Sequence, residues 1–178
     1  MPLFVASLLV TLAVQIQASL IVFTPPILAP DAQQDIGVSA AAVGLVTALI
    51  YLASVPSALI SGLLVSRIGA IRVSQLCVLF SSTGIILIST GDPLIIVIGA
   101  LVVGIGYGAV TPSSSTVLAD QAPKNVRSLI FSIKQSGVPI GGAIAGTLVP
   151  FLIYRFGWKE AAIITGLIGF FVIVLAQL

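Results

Sequence analysis

The chain has 178 residues, 58% of them hydrophobic, with only seven basic and five acidic side chains and a formal net charge of +2. An ordinary soluble domain carries about 25% charged residues, so 7% charge cannot cover a water-facing surface, and the class is an integral membrane protein in a lipid bilayer. The single cysteine, Cys77, excludes an intrachain disulfide and gives no metal site. The absence of histidine removes the commonest proton shuttle and metal ligand, so no metal or cofactor is expected, and with its few charges spread over loops no nucleic-acid partner is expected either.

A span needs about 20 apolar residues to cross roughly 30 Å of hydrocarbon, which leaves room for six helices and little else. The first is expected over about 3–23, ending near Pro25 and Pro26, with a polar loop holding Asp31 and Asp35. It lacks a basic leader and a small-residue cleavage site and reads as a retained helix rather than a signal peptide. The second is expected over about 39–65, with Ser39 as its N-cap. A short basic turn, 62–72, then holds Arg67 and Arg72. The third runs over about 73–90, and Gly91-Asp92-Pro93 reads as a tight turn. The fourth covers about 94–118, followed by a loop with Asp120, Pro123, Lys124 and Arg127. The fifth covers about 128–154 and the sixth about 160–177, making one transmembrane domain over 1–178.

Basic loops stay cytoplasmic, which sets orientation. Arg67, Arg72, Lys124 and Arg127 fall between spans 2 and 3 and spans 4 and 5, against Arg155 and Lys159 between spans 5 and 6. Both termini are therefore expected in the cytoplasm, in a multi-pass plasma or inner membrane. Thr24-Pro25 recurs 87 residues later as Thr111-Pro112, and Arg67-Ile68-Gly69 recurs 88 residues later as Arg155-Phe156-Gly157. The agreement suggests two copies of a three-helix unit, the second inverted because three is odd, as transporters are often built. Short dipeptides also recur by coincidence, so the sequence leaves that alternative open.

Polar groups inside spans are costly and mark pathways or packing contacts. Gln15, Tyr51, Tyr107, Lys134 and its neighbour Gln135 are the candidates for a cavity lined by spans 1, 2, 4 and 5. Gln17 lies about 200° round the helix from Gln15 and cannot share that cavity. The hydroxyls of the same stripes have a plainer reading, bonds to backbone or to a neighbouring helix. Lys134, two turns inside its span, either faces the cavity, where it favours an anion, or snorkels to the cytoplasm. Gly137, Gly141 and Gly142 around Pro139 read as close packing with a hinge, since proline removes a backbone donor.

These features resemble the major facilitator superfamily of secondary transporters, and the chain looks like its N-terminal six-helix half. The family's signature between helices 2 and 3 is glycine, any residue, leucine, a small residue, aspartate, a basic residue, any residue, glycine, then two basic residues. Gly62, Leu64, Arg67 and Gly69 match it, Ser66 stands at the aspartate place, and Arg72 follows Ala70 and Ile71, which stand where basic residues are usual. The resemblance implies a secondary active transporter half moving a small solute, an organic anion if Lys134 faces the cavity, by alternating access. It also implies a gate at Arg67 and Arg127 and a second six-helix half from the same gene, a separate chain or another copy. A non-transporting membrane scaffold or partner subunit is the alternative from another class; an enzyme is not expected.

Overall fold

The computed structural model describes residues 3–123 and 125–176, and its regular structure is entirely helical. Seven helices follow in order: α1 (Leu3–Ile36), α2 (Ala40–Ile68), α3 (Ala70–Ile88), α4 (Pro93–Gln121), α5 (Arg127–Gln135), α6 (Gly137–Phe156) and α7 (Trp158–Leu175). α5 and α6 together form the fifth span, Arg127–Phe156, so the bundle has six rods, of which five, among the described residues, are long and apolar enough to cross a membrane. Lys124, counted above for orientation, and Gln177, at the expected end of the sixth span, lie outside the described residues.

α1 does not stop near Pro25. It runs 34 residues, about 51 Å at 1.5 Å per residue, through Pro25, Pro26 and Pro30. Prolines are tolerated inside membrane helices because neighbouring helices and hydroxyls re-satisfy the freed backbone. Thr24 Oγ1 donates to the Leu20 carbonyl at 2.7 Å in the turn before the first proline, whereas the carbonyls that lose a helical donor are those of Ile21, Val22 and Pro26. Asp31 and Asp35 therefore ride on the last helical turns rather than in a loop.

The basic turn contracts to one residue. α2 ends at Ile68 and α3 begins at Ala70, and Gly69 alone reverses the chain with φ +87°. Its N–H donates to the Val65 carbonyl at 2.9 Å and its own carbonyl accepts from Val73 N–H at 3.1 Å. Gly157 repeats this turn between α6 and α7: φ +96°, its N–H to Ile153 at 2.9 Å, its carbonyl from Ala161 at 3.1 Å. Only glycine enters that backbone region freely. The 88-residue echo is thus a shared backbone structure.

Packing obeys the same exchange. α2 and α3 lie against α4, and their counterparts α6 and α7 lie against α1; α1 meets α4 and α3 meets α7 across the pseudo-symmetry axis. Gly84 and Gly99 let α3 and α4 touch backbone to backbone, since a Cβ on Gly84 would stand 2.7 Å from the Gly99 carbonyl oxygen. At the start of α4, Asp92 Oδ1 accepts from Leu94 and Ile95 N–H at 2.9 and 3.1 Å, with Pro93 in the first helical position, where its missing donor costs nothing.

Candidate functional site

The fifth span breaks where Pro139 dictates. Its ring has no N–H for the Gln135 carbonyl and crowds that oxygen, so α5 ends at Gln135 and α6 starts at Gly137. The helix is interrupted at Ser136, three residues upstream of Pro139, while the Ser136 backbone itself stays α-helical (φ −61°, ψ −15°). Past the break, Gly137 and Gly141 lie one turn apart on the face against α1. A Cβ on Gly137 would sit 3.0 Å from Cβ and Cγ of Gln15, and one on Gly141 would sit 2.7 Å from Ser19 Cβ. Gly142 faces the Phe23 ring instead.

This close approach buries Gln15 (1% exposed) and Lys134 (1% exposed) beside α4. Thr111 Oγ1 donates to Gln15 Oε1 at 3.3 Å, and Lys134 Nζ lies 3.5 Å from the Thr111 carbonyl oxygen. Lys134 is folded into the bundle and does not reach along α5 to its end. Thr111 itself is exposed, so this polar cluster opens on the bundle face. Gln17 turns away, as its angle requires, and its Nε2 donates to the Thr165 carbonyl of α7 at 3.0 Å. Gln135, next to Lys134, is exposed on another face of α5.

Tyr51 and Tyr107 meet edge to face, ring centroids 6.2 Å apart and planes at 86°. Tyr107 is one turn from Thr111 on α4. The pair is set by Gly104 and Gly108, which flank Tyr107: a Cβ on either would collide with the α2 backbone carbonyl of Ile50 or Ser54, respectively. Those two glycines therefore seat α2 and do not line open space.

The remaining candidates are not part of this cluster. Gly62, Ser66, Arg67, Gly69 and Arg72 are exposed at the end of the bundle where α2 turns into α3, and Ser66 Oγ donates to the Leu63 carbonyl at 2.9 Å. Arg127 Nη2 donates to the Ala119 carbonyl at 2.8 Å, in the last turn of α4. There it satisfies an orphan carbonyl and complements the helix dipole.

At the opposite end, Asp35 accepts from Trp158 Nε1 at 3.2 Å and pairs with Lys159 at 2.9 Å, joining the end of α1 to the start of α7. Lys159, an exception to the charge pattern, is neutralised there. Next to this clamp is a cavity of about 200 Å³, lined by Pro25, Leu28, Val46, Ile96 and Trp158 among others. Its lining is apolar and separate from the Lys134 cluster.

A profile of the Major Facilitator Superfamily matches residues 3–178. The chain belongs to this superfamily. Among curated proteins it is 32% identical over 142 residues to a gallate transporter of Pseudomonas putida, covering 79% of this chain and 32% of the relative. It is 30% identical over 140 residues to a probable anion transporter 7 of Oryza sativa subsp. japonica, covering 78% of this chain and 32% of the relative. Among solved structures, an inward-facing, occupied bacterial homolog of the human lysosomal transporter Spinster superposes with TM-score 0.69 at 22% identity, covering 98% of this chain and 43% of that one. That likeness establishes the superfamily's fold for the chain. The chain spans about a third of the length of the curated relatives it matches.

Two contributions escaped sequence reasoning. Thr111 stood out as half of a repeated dipeptide and as one hydroxyl on the polar stripe of the fourth span, without a sign that it joins Gln15 to Lys134. The Asp35–Trp158–Lys159 clamp was hidden by ending the first helix too early; an acid and a base on the same side of the membrane was the available signal.

Proposed function

We propose that this chain is the N-terminal six-helix half of a secondary transporter that carries a small organic anion across the membrane by alternating access. The observation that carries the reading is Lys134. A cation at mid-helix costs about 2.5–3.5 kcal/mol on insertion scales, and such residues mark substrate pathways. An ammonium has three donors, and here its partner is a single carbonyl at 3.5 Å. Among the described residues the ion pair is Lys159 with Asp35, which leaves Lys134 with no carboxylate. An anionic solute arriving over the exposed Thr111 would supply that counter-charge, with Gln15 holding Thr111 in place.

The gallate and anion transporters among the relatives support this solute class. Their greater length, and the exposed apolar side chains along α2 and on α5 and α6, support a second half packed against this one. Superfamily membership is what supports coupling to an ion gradient, and a bacterial relative favours the plasma membrane. The basic residues at the α2–α3 turn and at Arg127 support cytoplasmic termini.

The test is uptake of a labelled carboxylate by the intact protein in proteoliposomes. Lys134→Gln and Lys134→Ala are expected to lower uptake at least about tenfold, the scale of one lost charge-assisted contact. Undiminished uptake in both variants would refute the anion reading. Absence of saturable flux in the unmodified protein, over a panel of anions, would favour the scaffold reading instead.

A further inference from the structure

Tyr51 is an odd residue to leave open. It is 45% exposed on a face that otherwise presents aliphatic side chains, and it stands edge-on to the partly buried Tyr107. The bundle constrains this pair closely. Gly104 and Gly108 bring α2 so near to α4 that any side chain at either position would strike the carbonyl before or after Tyr51's own turn. Two rings held at 6.2 Å and 86° leave one ring edge and one ring face available to a third ring, the arrangement aromatic groups prefer. Along α4, Tyr107 and Thr111 differ by four residues, about 6 Å of rise on the same face. Thr111 is the residue that holds both Lys134 and Gln15. An aromatic platform thus stands one helical turn along α4 from the residue whose carbonyl meets the buried Lys134 ammonium.

We infer that Tyr51 and Tyr107 determine specificity at the proposed anion site, selecting aromatic monocarboxylates by stacking the ring while Lys134 takes the carboxylate. This rests on the reading of Lys134 as the anion-binding group. Gly104 and Gly108 act as positioning residues, because they set the spacing of the two rings without touching the solute.

The discriminating probes are benzoate and cyclohexanecarboxylate, equal in charge and close in size, of which only the first has a π face. Binding to the intact protein in nanodiscs is measured by titration calorimetry. The unmodified protein is expected to prefer benzoate, and Tyr51→Leu and Tyr107→Leu are expected to lower that preference about two- to tenfold, the range of one aromatic contact. Tyr107→Phe, which keeps the ring, should retain it. Lys134→Gln should weaken both probes together and leave their ratio in place. Equal affinity of the unmodified protein for the two probes overturns the proposal without any variant. A ratio that survives both leucine substitutions also overturns it, while the anion reading stands. If Lys134→Gln binds both probes as tightly as the unmodified protein, the underlying anion reading falls, and this inference with it.

Discussion

Gly141→Ala tests whether close contact between α1 and α6 is what assembles the Lys134 cluster. A Cβ at Gly141 would lie 2.5 Å from the Ile16 carbonyl oxygen and 2.7 Å from Ser19 Cβ. An unstrained C···O approach is about 3.3 Å, so α6 must retreat by about 0.8 Å or the side chains must distort. Overpacking of this kind costs about 1–3 kcal/mol. Alanine also favours helix over glycine by about 1 kcal/mol, which confuses a single measurement. Gly146→Ala removes that ambiguity: it lies in the same helix, and its added Cβ would meet nothing within 4 Å. The difference between the two variants isolates the clash. At about 2–4 °C per kcal/mol for a chain of this size, Gly141→Ala should melt about 2–12 °C below Gly146→Ala. Cys77, the single cysteine and 3% exposed, makes a thiol-reactive fluorogenic dye a direct reporter of unfolding. Equal melting temperatures would refute the close-contact argument.

Other consequences follow from the same geometry. Asp35→Leu removes a surface pair whose side chains are 43% and 48% exposed, so stability should change little. The emission of Trp158, the only tryptophan, should nonetheless shift as its Nε1 partner changes; an unaltered spectrum would argue against the clamp. Pro139→Ala returns an N–H to the Gln135 carbonyl and should let α5 and α6 join. Spin labels at the exposed Leu129 and Tyr154 would then move apart, and an unchanged distance would place the cause of the break elsewhere. Gln17→Leu deletes the bond to the Thr165 carbonyl and should cost about 0.6–2 kcal/mol, the range for hydrogen bonds between membrane helices, read by the same dye melt.

Part of this protein was legible from its residues taken in order. The scarcity of charge required a membrane fold, and the apolar runs required six crossings, because hydrocarbon leaves the backbone no partner but its own helix. Local rules also placed Gly69, Asp92 and the break before Pro139 to within a few residues. The angle between Gln15 and Gln17 separated their environments for a reason any helix obeys.

What chain order could not supply was which helices touch. The prolines of α1 read as terminators because local sequence cannot anticipate the neighbours that keep a proline-bearing helix intact. The span thus reaches Asp35, whose partners are 123 and 124 residues away. The spacing of the α4 glycines suits close packing, but only the tertiary structure decides that α2 sits on Gly104 and Gly108. Lys134 had two destinations of similar cost along its own helix. The choice was made by Thr111 and Gln15, on two other helices, because a buried charge is settled by whatever tertiary packing brings within reach of it.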